Sequence, residues 1–174
     1  MKEFDFTLKF ALPDNAVTAE SYLESLAAAG CDDALIGIGQ TGRIALQFLR
    51  RSDNALNAVI SAIKDVKRAI PGAKLIEATP DLVGLSDIAD ILGFTRQNVR
   101  KLMISHQTFP APVHAGSPDI WHLSTVLRWF SDVQNRIIDS SMMDIALVNM
   151  QVNLAKESRH LNQKFQSKLA SLAL

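Results

Sequence analysis

Residues 85–102 read Leu85-Ser86-Asp87-Ile88-Ala89-Asp90-Ile91-Leu92-Gly93-Phe94-Thr95-Arg96-Gln97-Asn98-Val99-Arg100-Lys101-Leu102. Ser86 is placed to cap a first helix, and Asp87 suits the positive end of that helix. Ile88 and Leu92 lie one helical turn apart and share an inward face, while Ala89 is small where a second helix must cross closely. Gly93 supplies left-handed backbone at the helix end, where a Cβ is penalised. Phe94 fills the angle between the helices. Thr95 caps the second helix, which Val99 and Leu102 anchor. Small residue to glycine in four steps, and glycine to branched anchor in six, is the spacing of a helix-turn-helix.

With Val99 and Leu102 inward, Arg96, Gln97, Arg100 and Lys101 form one outward stripe. Such a helix fits the major groove of DNA: Arg matches guanine O6 and N7, Gln matches adenine N6 and N7, and Lys neutralises a phosphate. From Thr95 to His114 the sequence has no acidic residue, and His106 and His114 extend the same segment. The expected DNA-contacting residues are therefore Thr95, Arg96, Gln97, Arg100, Lys101, His106 and His114. Next, Phe109-Pro110-Ala111-Pro112-Val113 excludes helix, because the two prolines remove donors and force extended backbone. Gly116-Ser117-Pro118-Asp119 is a turn, and Ile120-Trp121 is expected to return as a strand, which makes a small β-hairpin wing. Ser124 is expected to cap a helix carrying Val126, Leu127, Trp129 and Phe130. The two tryptophans are expected to close the core under the wing.

Upstream, Phe4, Phe6, Leu8 and Phe10 alternate with polar residues, the period of a strand with one face on a core. Pro13-Asp14-Asn15 ends it. A helix is expected from Thr18, burying Tyr22, Leu23, Leu26 and Ala29 and stopping at Gly30. Ala34–Ile38 and Ile44–Leu49 are expected strands of a hairpin. A second helix, capped within Ser52-Asp53-Asn54, carries the stripe Val59, Ile60, Ile63, Val66 and Ile70, and Ala73–Ala78 is a fourth strand. The order β-α-β-β-α-β predicts a split βαβ, ferredoxin-like domain over residues 1–80. A boundary is expected at Thr79-Pro80-Asp81, followed by the winged helix-turn-helix domain over 81–131 and a helical dimerisation tail over 132–174. The fold class is α+β.

From Val133 to Leu172 there is neither Pro nor Gly, so a long C-terminal helix is expected, continuous or broken near Asp139-Ser140-Ser141. Met143, Leu147, Met150, Leu154, Leu161, Phe165 and Leu172 make an imperfect heptad seam, and Ile138, Met142, Ile145 and Val152 make a second row. A homodimer through this helix is the expectation, with packing back on the α/β domain as its alternative.

Lys plus Arg and Asp plus Glu both number 18, which excludes a uniformly basic coat and requires any nucleic-acid surface to be local. The single cysteine, Cys31, excludes an internal disulfide and a thiolate-rich metal site, and reads as a buried structural thiol. Charges in Met1-Lys2-Glu3-Phe4-Asp5 argue against a signal peptide, and no apolar run approaches the ~20 residues of a membrane span. A cytoplasmic protein with no membrane association is expected. Gly37-Ile38-Gly39-Gln40-Thr41-Gly42 spells G-x-G-x-x-G, but the strand-like residues after it replace the helix that a dinucleotide site needs. His106, His114, His122 and His160 lack metal-ligand spacing, and Asp32-Asp33 is expected to cap a turn. No cofactor, metal or catalytic constellation is expected, so the chain does not read as an enzyme.

Residues 82–130 resemble the winged helix-turn-helix of the excisionase (AlpA-like) branch of the MerR-type superfamily. The shared elements are the Ile88-Ala89-x-x-Leu92-Gly93 turn, Arg96-Gln97 opening the second helix, the Phe109-Pro110-x-Pro112 wing entry, and Trp121-x-x-Ser124-x-Val126-x-x-Trp129. The segment from Phe4 through Phe130, including Gly30-Cys31-Asp32-Asp33-Ala34, is also similar to bacterial helix-turn-helix regulators with an amino-terminal α/β domain. The resemblance implies a sequence-specific DNA-binding transcriptional regulator, expected to repress as a homodimer on double-stranded DNA. The carboxyl-terminal sensing domain of full MerR regulators has no counterpart here. Two alternatives are an antitoxin-like or adaptor subunit that binds a protein partner and autoregulates, and an excisionase-like architectural factor.

Overall fold

The computed structural model describes residues 1–14, 17–37 and 40–172. Alternation builds its first strand: β1 (Lys2–Ala11) turns Phe4, Phe6, Leu8 and Phe10 into a core from which water is excluded. β3 (Arg43–Ser52) lies antiparallel beside it and buries Ile44, Leu46 and Phe48 on the same face, with Phe6 opposite Phe48 and Leu8 opposite Leu46. β2 (Ala34–Gly37) and β4 (Lys74–Thr79) complete a four-stranded antiparallel sheet in the order β2-β3-β1-β4. The expected second strand ran to Ile38; Ile38 and Gly39 lie outside the described residues, as does Asn15 of the first turn. Strand β3 follows the G-x-G-x-x-G stretch directly, so no helix N-terminus meets it.

Two helices cover the aromatic face. α2 (Ala55–Ala69) starts where its cap predicts, with the Asn54 side chain accepting from the Asn57 N–H at 2.9 Å. Of the expected row, Val59, Val66 and Ile70 are buried and Ile63 packs half-buried against the core, but Ile60 stays 39% exposed and Ala55, Ala58 and Ala62 take its place on the buried side. Small side chains win there because the opposing sheet already presents four phenylalanines, and alanines let the backbones approach. α1 (Leu23–Ala28) is shorter than expected: Ala19–Tyr22 forms a 3-10 turn, and Leu26 enters the core while Leu23 remains 40% exposed. Thr18 makes no side-chain cap bond, and an uncapped first turn tightens in this way.

Beyond α1, Gly30 takes a φ of +94° and Cys31 turns into the core, only 2% exposed. Burial, with Asp65 adding to it, pushes the Cys31 thiol from 9.0 up to about 11. Two consequences can be measured. Alkylation of native Cys31 at pH 8 should run about 100-fold slower than in denaturant, from the lost thiolate alone. A thiol whose pKa is raised by folding stabilises the fold below the unfolded value, so this contribution should be lost as pH climbs from 9.0 to about 11. Rapid labelling of the native thiol would contradict the burial.

The second core is built on β5 (Leu82–Val83), α3 (Leu85–Leu92), α4 (Arg96–Ser105), β6 (Trp121–His122) and α5 (Leu123–Asp132). Trp121 and Trp129 are both buried there, as expected, with Phe109 edge-on to each at 5.9 and 4.9 Å between ring centres. Three details differ from the sequence reading. Helix α3 is capped at Gly84, whose N–H donates to the Asp87 carboxylate at 2.8 Å, so Asp87 rather than Ser86 closes that end. Ser124 is not a cap but a buried residue inside α5, its hydroxyl 3.3 Å from Met150 Sδ. The returning strand pairs with β5, while the hairpin itself is held by short pairing of Val113 and His114 with Ile120.

Of the two expected forms of the C-terminal helix, the broken one forms, with a break ending at Asp139 and a further one after Glu157. Residues 133–139 are irregular, α6 (Ser140–Glu157) follows, and a 3-10 turn (Ser158–His160) separates it from α7 (Gln163–Leu169). Polar side chains break the helix without proline or glycine: the Asp139 carboxylate accepts from Met142 N–H at 3.0 Å, and Asn162 Oδ1 accepts from Lys164 N–H at 2.9 Å. Helix α6 packs on its own chain and joins the two cores. Ile145, Val148 and Val152 belong to the first, and Ala146, Met142 and Met143 to the second. Leu147, Leu154, Leu161, Phe165 and Leu172 of the expected seam stay exposed.

A polar row on α6 also covers the open edge of the sheet. The Asn153 side chain donates to Ala78 O and accepts from Ala78 N–H, both at 2.9 Å, as a neighbouring strand would. Asn149 Nδ2 donates to Pro80 O at 3.2 Å, and Lys156 Nζ donates to Ile76 O. The boundary at Thr79-Pro80-Asp81 is therefore no loose linker. Asp81, 1% exposed, meets His122 Nδ1 at 2.6 Å and Asn153 Nδ2 at 2.7 Å, tying β4, β6 and α6 together. Among the described residues no helix is long and apolar enough to cross a membrane.

Candidate nucleic-acid interface

The candidate site rests on the turn between α3 and α4. Gly93 adopts a φ of +68°, and the Phe94 N–H reaches back to Ala89 O at 2.8 Å, closing the end of α3. Thr95 Oγ1 then accepts from Asn98 N–H at 3.2 Å, so the second helix starts at Arg96 as the sequence predicts. Ile88, Ala89, Leu92 and Val99 are buried between the helices. Arg136 fixes the turn from outside: its guanidinium lies 4.3 Å over the Phe94 ring and donates to Leu92 O. Sequence reading missed this contact, because residue 136 was assigned to a helix that does not form.

A Cβ at Gly93 would meet nothing within 4 Å. Gly93→Ala should therefore cost only the left-handed backbone strain, roughly 1–2 kcal/mol of stability in urea unfolding. A cost near zero would show that the turn does not hold this conformation in solution.

Arg96, Gln97, Arg100 and Lys101 are all exposed, and none of their side chains makes a hydrogen bond or ion pair among the described residues. At about 100° per residue they span an arc of roughly 140° on α4. Ile104 falls near the middle of that arc and is 69% exposed. The period of 3.6 residues places it there, yet an isoleucine at a helix end reads as core until its angle is plotted.

The hairpin loop of residues 114–120 lies beside this helix. A cleft of about 430 Å³ is walled by Arg96, Arg100 and Met103 on one side and by Gly116–Ile120 on the other. Asp87 and Asp119 also line it. The cationic stripe is acid-free in sequence but not in space. Both carboxylates are engaged, Asp87 with Gly84 N–H and Asp119 Oδ1 with Gly116 N–H at 3.1 Å.

The two histidines differ. His114 is exposed on the hairpin, its ring lying over Gly116 where a Cβ there would have to push it aside. His106 ends α4 half-buried, its ring 5.4 Å from Trp129 in an edge-on contact. Only part of His106 faces solvent. Cys31, far along the chain, is packed in the first core, and Asp33 beside it is taken by Arg50 at 2.7 Å instead of capping a turn. No protein-family model, curated protein or solved structure matches this chain.

Proposed function

We propose that this chain is a sequence-specific DNA-binding regulator, with residues 81–131 acting as an excisionase-type winged helix-turn-helix and residues 1–80 as a ferredoxin-like split βαβ unit. The supporting observation is the row of Arg96, Gln97, Arg100 and Lys101, exposed on a helix whose other face is anchored, with no intramolecular partner among the described residues. In the major groove the two arginines would address guanines and Gln97 an adenine, while Lys101 takes a phosphate. Thr95, His114 and the open part of His106 border the row and suit backbone contacts. Selection of bound duplexes from a random pool tests the reading. Enrichment of one site supports it, and a pool that returns no preferred sequence overturns it.

Homodimerisation belongs to the same proposal, now confined to the tail. Leu161, Phe165 and Leu172 are 55–64% exposed, more open than Leu147 and Leu154 at 39% and 49% on α6, whose other side is occupied by its own chain. Deleting residues after His160 should convert a dimer to a monomer in native mass measurement and weaken operator binding, because a single half-site lacks the linked second contact. If the full chain is already monomeric, the open tail favours the second reading, an adaptor or antitoxin-like subunit that docks this row on another protein.

A further inference from the structure

The molecule carries a second cationic surface, at the far end of α6 from the Asp139 cap. A cleft of about 560 Å³ opens between the last turn of α2, the start of β4 and the Ser158–His160 turn. Its size is that of a small-molecule site. Its floor is apolar, made by Ile63, Leu75 and Val152. Around the rim stand Lys67, Lys74, Arg159 and His160. Lys67, Lys74 and Arg159 are exposed and make no ion pair among the described residues. Glu157, which also lines the cleft, is already matched by Lys156 at 2.7 Å.

A chain with equal numbers of acidic and basic residues has no general excess of cations to place here. The C-terminal ends of α2 and α6 draw cations, but each supplies only about half a negative charge. Lys74 belongs to neither helix, and the three unmatched cations outnumber what both ends need. The surplus calls for an occupant with negative charge, and the floor calls for an apolar body.

We infer that this cleft binds a small organic anion, bearing a phosphate or carboxylate group on an apolar body, at a site separate from the α4 stripe. Such a ligand sets its acidic group among Lys67, Lys74 and Arg159 and lays its body on Ile63 and Val152.

The test titrates phenyl phosphate into the full chain at constant ionic strength and follows backbone amide shifts, with phenol and inorganic phosphate as the two half-probes. The expected result is saturable movement of amides in residues 63–67, 74–76 and 155–160 at millimolar phenyl phosphate, with weaker effects of either half-probe. A Lys74→Gln/Arg159→Gln variant, altered only at exposed side chains, should keep the wild-type spectrum elsewhere and bind roughly tenfold or more weakly. Absence of saturable movement, or equal affinity in the variant, overturns the inference. So does a result in which duplex DNA moves the same amides and the variant loses duplex affinity, for the rim would then be a phosphate-backbone contact.

Discussion

Replacing Arg50 with alanine should remove roughly 3–5 kcal/mol of stability, the usual loss when one member of a buried ion pair is deleted. Arg50 continues the inward register of Ile44, Leu46 and Phe48, so β3 carries a guanidinium into the core side of the sheet. Its side chain is 9% exposed, and every N–H it owns is used. Nε and Nη2 grip Asp33 at 2.7 and 2.9 Å; Nη1 reaches Asp65 at 2.8 Å and Ser61 at 3.0 Å; Nη2 also donates to Gly30 O at 2.8 Å. The guanidinium additionally lies 4.8 Å over the Phe48 ring. Burial alone would lower its pKa, and the hydrogen bonds to Asp33 and Asp65 overcome that and leave it raised.

Alanine strips Asp33 of its cation and leaves Asp65 only the exposed Arg68 at 3.5 Å, with the two carboxylate side chains 30% and 17% exposed. The partial solvation of Asp33 draws the expected loss toward the lower end of the range. In a chain of this size the loss corresponds to a fall of about 6–20 °C in thermal midpoint. Arg50→Lys keeps the charge but gives up the bidentate fork, and should fall between wild type and alanine. Removing the charges together, as Arg50→Met with Asp33→Asn and Asp65→Asn, should restore much of the loss, because the stranded carboxylates account for most of it. Urea denaturation of the series decides the matter. An alanine variant within 1 kcal/mol of wild type would mean that the cluster is solvated and contributes little.

Arg50 also marks where the sequence stops being legible. Periodicity reported what one element does with its own apolar residues: the Phe4–Phe10 alternation, the Gly93 turn, the Thr95 cap and the buried face of Val99 all lie where spacing placed them. A charged residue on a core face breaks that pattern, and its partners Asp33 and Asp65 come from elements 17 and 15 residues away. Asn153 is the same problem on a helix. Its amide completes the hydrogen bonding of a strand edge 75 residues distant, while its own helix reads as merely amphipathic. The break near Asp139 was one of the two forms the sequence offered, but the second one, at Ser158–Asn162, was hidden, since Asn162 starts a new helix through a side-chain cap rather than through proline or glycine. At the candidate interface, Arg96, Gln97, Arg100 and Lys101 were readable because one helix carries them all. Asp87 and Asp119 were not, because the hairpin loop brings Asp119 to them from another segment.

Those two carboxylates sharpen the second large prediction. Arg96→Ala and Arg100→Ala should each weaken binding to a selected site by roughly 1–3 kcal/mol and relax preference at the base addressed. The residues stand one helical turn apart, so their effects need not add, and the double variant should lose at least as much as the larger single. Lys101→Ala should instead weaken all duplexes alike and lower the salt slope by about one ion. None of the three should shift stability by more than about 0.5 kcal/mol, because each side chain is exposed and unpartnered among the described residues. A rival account gives Arg96 and Arg100 a local task, balancing Asp87 and Asp119 across the cleft they share. The two accounts separate on paired measurements. If the arginines only balance the acids, the double alanine variant loses stability and keeps its affinity, and neutralising Asp119 as Asp119→Asn rescues it. If they read DNA, affinity and base preference collapse while the unfolding midpoint holds, and Asp119→Asn tightens duplex binding by withdrawing a carboxylate from beside the phosphates.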